Sequence, residues 1–239
     1  MKNAIVTGGT KGIGLEVAKM LLREGYFVTV TYAHDHEAVE NCQAALRAEG
    51  EAFEIIRADQ SDPQAIKEFV QEMRKKGHVD CLVLNAGTTH RAGLLGTSDE
   101  DWNRVMQVNV NAPMAMLRDL YDVIPSGSRI VFMGSMMGVL PHSVSLSYGV
   151  TKAAVIALAK NLVKEFDGTE TTVNVIVPGF VETGWQKNKP EEIRNNICAK
   201  TALKRFAKPE EIADAVRFCL NNAFLNGSVI EVSGGYNYR

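Results

Sequence analysis

Seven short apolar runs, most rich in β-branched residues, punctuate the chain: Ala4-Ile5-Val6, Phe27-Val28-Thr29-Val30, Phe53-Glu54-Ile55-Ile56, Cys81-Leu82-Val83-Leu84, Ile130-Val131-Phe132, Val173-Asn174-Val175-Ile176-Val177 and Val229-Ile230-Glu231-Val232. Amphipathic stretches separate them, such as the one carrying Val17, Ala18, Leu21 and Leu22. Strands alternating with helices along the whole length predict parallel strands joined by crossover helices. The expected fold is therefore α/β, a single doubly wound Rossmann-type domain with a seven-stranded parallel sheet flanked by helices on both faces.

Helix-start signals fall where this pattern needs them. Ser61-Asp62-Pro63 offers a cap followed by a first-turn proline, and Ser98 with Asp101 resembles a capping box. Lys208-Pro209-Glu210-Glu211 places acids at the positive end of a further helix. No linker-like stretch, repeat or low-complexity tract divides the chain, so residues 1–239 read as one domain.

Composition narrows the partners. With 46% hydrophobic and 23% charged residues and a net charge of −2, the chain has the balance of a soluble globular protein and no broad cationic field for nucleic acid or a membrane surface. The N-terminal apolar run is too short for a signal peptide or a spanning helix, which predicts a cytoplasmic protein. Cys42, Cys81, Cys198 and Cys219 form neither a C-x-x-C motif nor a ligand set with nearby histidines. They read as free core thiols, and no metal site is expected.

Two motifs carry candidate chemistry. Thr7-Gly8-Gly9-Thr10-Lys11-Gly12-Ile13-Gly14 lies between the first strand and the first helix, with the spacing G-x-x-x-G-x-G. Glycines there permit a tight turn and close approach to a pyrophosphate, while free helix N–H groups meet the anion. Further along, Tyr148 and Lys152 stand four apart at the start of a long helix and so share a face. A phenol ionises near pH 10, and a neighbouring cation favours its phenolate, so Lys152 is expected to lower the pKa of Tyr148. The spacing alone also fits an exposed surface pair.

From Asn3 to Tyr236 these residues, taken in order, resemble the short-chain dehydrogenase/reductase family. The likeness rests on the glycine loop, Asp59, Asn85-Ala86-Gly87, Asn109, Gly134-Ser135, Tyr148 with Lys152, and Pro178-Gly179. Within the family the chain looks most similar to 3-oxoacyl-acyl-carrier-protein reductases, whose pathway is fatty acid biosynthesis. The resemblance implies an NAD(P)-dependent enzyme with catalytic residues Asn109, Ser135, Tyr148 and Lys152. Ser135 would hold the substrate oxygen, Tyr148 would act as acid/base, Lys152 would bond the nicotinamide ribose, and Asn109 would hold a water relaying protons to the lysine. Read singly, Asn109 could equally satisfy backbone groups at a helix kink, and Ser135 could be a helix cap.

The same resemblance implies that Gly8, Thr10, Lys11, Gly12, Ile13, Gly14, Asp59, Gln60, Asn85, Ala86, Gly87, Tyr148, Lys152, Pro178, Gly179, Val181 and Thr183 hold the dinucleotide. Asp59 would face the adenine amine, Asn85-Ala86-Gly87 would run along the adenosine and ribose, and Pro178 to Thr183 would embrace the carboxamide. Tyr32 stands where NAD-preferring members carry an acid, and Lys11 can meet a 2′-phosphate, so NADP(H) is expected over NAD(H). Asp35 reads as the start of the next helix, and Lys11 could instead be an exposed loop charge.

Thr88, Thr89, His90, Met136, Met137, Leu140, His142, Phe180 and Trp185 would surround the substrate, a mostly apolar set suited to an apolar carbonyl compound. Residues at about 182–205 would form a lid. The family's carrier-protein docking arginines fall at about Ser126 and Thr169 here, with Arg129 close by. A free small carbonyl or alcohol therefore competes with an acyl-carrier-protein-bound substrate. The resemblance also implies a homotetramer. Two other readings stand beside it: a non-catalytic dinucleotide-binding regulator on the same fold, and an isomerase using its cofactor transiently.

Overall fold

All seven apolar runs form strands: β1 (Lys2–Val6), β2 (Tyr26–Tyr32), β3 (Phe53–Arg57), β4 (Cys81–Leu84), β5 (Arg129–Met133), β6 (Thr172–Pro178) and β7 (Val229–Val232). They pair in parallel throughout, in the order β3-β2-β1-β4-β5-β6-β7. The computed structural model describes residues 1–142 and 144–236. The helices are α1 (Gly12–Arg23), α2 (His36–Arg47), α3 (Pro63–Lys76), α4 (Asp99–Met106), α5 (Ala112–Leu120), α6 (Leu146–Glu165), α7 (Glu191–Lys200) and α8 (Pro209–Asn221).

The period of two along each strand divides the core into two layers. Val6, Val28, Val30, Cys81, Val83 and Val131 face Val17 and Leu21 of α1, Leu46 of α2 and Val216 of α8. Ile5, Leu82, Leu84, Ile130, Phe132 and Val175 face Ile66 and Phe69 of α3, Met116 and Leu120 of α5, and Val155 of α6. Central strands buried on both faces need apolar residues at consecutive positions, which is why the runs are continuous rather than alternating. Cys42, Cys81 and Cys219 are buried thiols in the first layer, and burial pushes them up to about 11, 12 and 11 respectively.

The helix-start signals act locally as expected. Asp62 caps α3 with Pro63 in its first turn. Ser98 caps α4 by accepting from Asp101 N–H, while its hydroxyl donates to the Asp101 carboxylate. Glu211 accepts from Lys208 N–H at the start of α8. Asp35 caps α2 through Ala38 N–H.

The chain steps from β1 outward to β3, then crosses back to add β4 on the other side of β1. At such a reversal the loops leaving two adjacent strands diverge to opposite faces and open a crevice at their carboxyl ends. Here those loops follow Val6 and Leu84, and Val6 and Val83 are partners in register. No helix among the described residues is long and apolar enough to cross a membrane.

Candidate active site

The crevice is a cleft of about 1550 Å³. Its floor is the loop from β1 into α1. Gly8 and Gly12 adopt φ of +61° and +57°, which side chains disfavour. A Cβ at Gly8 would lie 2.9 Å from the Ala86 backbone, and one at Gly14 would lie 2.5 Å from the Gly8 carbonyl oxygen. Thr7 and Asn85 stitch the two loops together: Thr7 Oγ1 accepts from Asn85 N and Ala86 N at 3.0 Å each. The Asn85 side-chain amide donates to the Thr7 and Gly8 carbonyls at 3.0 and 3.1 Å. Asn85 thus shapes the glycine loop rather than presenting its amide to the cleft.

Lys11 precedes α1 without a side-chain cap, so the first N–H groups of that helix are not met by a capping side chain. The Gln60 side chain, 4% exposed, has neither amide atom hydrogen-bonded. Buried polar groups are seldom left so. An uncapped helix start, a glycine cradle that side chains would fill, and an orphaned amide on the same wall fit a dinucleotide.

Every residue expected to hold that dinucleotide lines the cleft, from Gly8 through Thr183, as does Ser135. Asn109 does not. It sits one layer behind, in a π-helical segment, Gln107–Asn111, between α4 and α5. Its side chain accepts from Thr88 N at 2.8 Å and donates to Thr88 O and to Thr151 Oγ1 at 2.9 Å each. Pro113 lacks the N–H that would bond the Asn109 carbonyl in a regular helix, a local reason for the widened turn. Asn109 thus satisfies backbone groups beside a helix distortion, and its amide hydrogens are taken.

Ser135 likewise serves as a cap, accepting from Met137 N at 3.2 Å, and its side chain also hydrogen-bonds Tyr148. α6 is seated by Ser145, which caps it through Tyr148 N and donates to His90 O at 2.5 Å. Lys152 is buried, with its amine donating to Met133 O at 2.7 Å and lying 5.6 Å from the centre of the Tyr148 ring.

The electrostatics differ from the expectation of an acidified phenol. Burial pushes Tyr148 up to about 12, opposed only by the Ser135 hydrogen bond. Burial also pushes Lys152 down to about 8. Desolvation penalises both charged forms, and it is the largest cause of both shifts.

At the adenosine end, Lys11 Nζ pairs with Asp35 at 2.5 Å and His34 Nε2 with Asp59 at 2.8 Å. Burial alone would raise Asp59, but hydrogen bonds from Ser61 and the His34 contact hold it below the usual carboxylate range. Of the residues expected to surround the substrate, Thr88, Thr89, Met136, Met137, Leu140, His142, Phe180 and Trp185 line the cleft. His90 does not, because its ring turns to Asp101 and the Gly96 carbonyl at 3.3 and 3.2 Å. The sequence reading missed Arg91, Gln186 and Lys189, all of which line the same cleft. None sits in a local pattern that marks it.

A cleft so placed, with a Tyr/Lys pair beside a glycine-lined helix start, defines an oxidoreductase that works on a bound dinucleotide. Residues 8–237 match a family model described as Enoyl-(Acyl carrier protein) reductase. The 3-oxoacyl-[acyl-carrier-protein] reductase FabG of Staphylococcus aureus strain Mu50 is 31% identical over 98% of this chain and 97% of its own. A short-chain dehydrogenase/reductase from Serratia marcescens superposes with a TM-score of 0.92 at 28% identity, covering 99% of this chain and 98% of that one. A blue fluorescent protein from a metagenomic library, in complex with NADPH, gives 0.91 at 27% identity over 98% and 97%. The chain belongs to the short-chain dehydrogenase/reductase family and is an oxidoreductase of that type.

Proposed function

We propose that this enzyme uses NADP(H) to reduce a ketone to a secondary alcohol, with Ser135 and Tyr148 at the reacting oxygen. The observation that carries the reading is the meeting of the Tyr148 hydroxyl and the Ser135 side chain in the cleft that also holds Lys152 and the glycine loop. The bound nicotinamide would supply the hydride to the carbonyl carbon. Ser135 hydrogen-bonds the carbonyl oxygen and orients it. Tyr148 transfers its proton to that oxygen as negative charge develops there, so a neutral alcohol leaves.

A phenol held at about 12 is protonated throughout the neutral range, which suits an acid better than a base and favours the reductive direction. Lys152, beside the ring and in its charged form below about pH 8, limits the cost of the transient phenolate and would also bond the ribose. Asn109 and Lys152 approach each other across Gly87, where a Cβ would lie 3.4 Å from Asn109 Oδ1 and 3.6 Å from Lys152 Nζ. That proximity supports a water there returning protons to the lysine.

Residues 182–205, which include the short turn at Gly184–Gln186 and α7, would close over the substrate, and the Trp185 ring already lies 5.9 Å from the Tyr148 ring, tilted against it. The substrate reading has two branches. FabG relatives act, by their name, on 3-oxoacyl groups carried by a protein. Yet Ser126 and Thr169 occupy the expected docking positions, and Arg129 spends its guanidinium on the Gly127, Ser128, Glu170 and Leu220 carbonyls. A free small carbonyl compound is therefore the second reading. A homotetramer is also proposed, supported by the half-exposed Tyr121 just past α5, by Phe218 in α8 and by the fully exposed Phe224. Sedimentation as a monomer at micromolar concentration would contradict it.

NADPH consumption against acetoacetyl thioesters, quinones, sugars and steroid ketones tests the activity. One class should turn over, and Tyr148→Phe should lose more than about 100-fold in kcat while still binding NADPH. Equal turnover by Tyr148→Phe would defeat the assignment of Tyr148, whereas NADPH binding with turnover of no class by the wild type would favour the regulator reading.

A further inference from the structure

The substrate end of the cleft is cationic. Arg91 on the loop after β4 and Lys189 just before α7 both line it, and Arg104 and Lys200 border it as well. The only acids in the lining among the described residues, Asp35 and Asp59, lie at the other end beside Lys11 and His34. Arg104 is tied to Asp101 at 3.5 Å and to Thr88 at 3.2 Å, and Arg194 is tied to Glu182 at 2.5 Å. Among the described residues, Arg91 and Lys189 have no such acid.

Lys189 is half-buried. Burial, and then repulsion from Arg91 and Arg194, holds its amine below the ordinary range. Two cations close enough to repel, one of them partly desolvated and neither compensated, form an arrangement that an anion between them would relieve. Gln186 lines the same cleft, and its amide oxygen, on a side chain 9% exposed, is an acceptor without a donor that calls for a hydroxyl or N–H on the ligand, separate from any anionic group. A ligand at this end is thus expected to be polar beyond its carbonyl.

We propose that the substrate is a free small carbonyl compound bearing a carboxylate or phosphate, gripped by Arg91 and Lys189 while its carbonyl lies at Ser135 and Tyr148. This rests on the ketone-reductase reading above and names the substrate class within it. The guanidinium matches the paired oxygens of either anion, and the ammonium adds a point charge. Met136, Met137 and Leu140 line the same cleft, an apolar wall that suits a short carbon chain.

The test compares matched pairs: oxo-acids with two to six carbons between carbonyl and carboxylate against their methyl esters, and dihydroxyacetone phosphate against dihydroxyacetone. At least one anionic member should exceed its neutral twin by ten-fold or more in kcat/KM. That ratio should fall at least ten-fold in Arg91→Gln and in Lys189→Gln, chiefly through KM, and recover in Lys189→Arg. Neutral twins turned over as well as the anions, or a ratio untouched by the variants, would overturn the proposal. So would an acetoacetyl carrier protein outperforming every free anion, with its advantage lost in the same variants. Turnover of no compound in any pair would overturn this inference, and only if the wild type also left the acetoacetyl thioesters, quinones, sugars and steroid ketones untouched would the ketone-reductase reading fall with it.

Discussion

Cofactor choice turns on how Lys11 divides its charge between Asp35 and a 2′-phosphate. The two side chains pair at 2.5 Å while 63% and 45% exposed, and the lysine holds the Asp35 carboxyl below its usual range, so the pair persists at neutral pH. An exposed pair of this kind shifts an equilibrium by no more than about five-fold. A charge-assisted hydrogen bond to a phosphate contributes about 1.5–3 kcal/mol, roughly ten- to hundred-fold in affinity. A 2′-phosphate bound there would therefore be expected to win Lys11 from Asp35. Asp35→Asn keeps a capping oxygen for Ala38 N–H while removing the rival charge. It should tighten NADPH about two- to five-fold and leave NADH within two-fold. Lys11→Met should weaken NADPH about ten- to hundred-fold with NADH nearly unchanged. Nicotinamide fluorescence titrations at low and moderate salt measure both. An unchanged ratio of NADPH to NADH dissociation constants in Lys11→Met, or tighter NADH than NADPH in the wild type, would refute the reasoning.

Three further outcomes follow from the site. Gly14→Ala drives a Cβ to 2.5 Å from the Gly8 carbonyl oxygen and 2.6 Å from Asn85 Nδ2, so a loss of about 1–3 kcal/mol and a drop of roughly 3–10 °C in Tm are expected; an unchanged Tm would mean the loop is looser than this. Lys152→Met should abolish reduction yet stabilise the fold by on the order of 2 kcal/mol at pH 7, because a buried amine held at about 8 favours unfolding while charged. Between about pH 8 and 10.5 the unfolded chain binds the proton that the folded chain has released, so wild-type stability rises with pH there and the variant's advantage, followed by urea unfolding, should shrink. Finally, kcat/KM for ketone reduction should fall as pH rises through about 8 with the lysine's charge, while Tyr148, held at about 12, remains a proton donor; a profile flat to pH 9.5 would disconnect Lys152 from the reaction.

What the sequence made legible was whatever a local period or a local geometric demand writes into neighbouring residues. The seven runs are readable because a strand buried on both faces needs consecutive apolar positions, and Cys81–Leu84 and Val229–Val232 match in both bounds. The glycine loop is readable because Gly8, Gly12 and Gly14 each answer a steric demand within a few residues of a strand end. Tyr148 and Lys152 are readable as a pair because four residues make one helical turn. The sign of their pKa shifts is not, since it depends on how deeply the fold buries both groups, and burial reverses the direction that proximity alone predicts. The same limit hid Arg91 and Lys189. Separated by nearly a hundred positions, neither departs from an ordinary surface cation until the fold sets both on the wall of one cleft with no acid paired to either among the described residues. Charges that look incidental one by one along a chain become informative when the topology sums them, and at this cleft the sum is positive on the wall where the substrate's anionic group is proposed to sit.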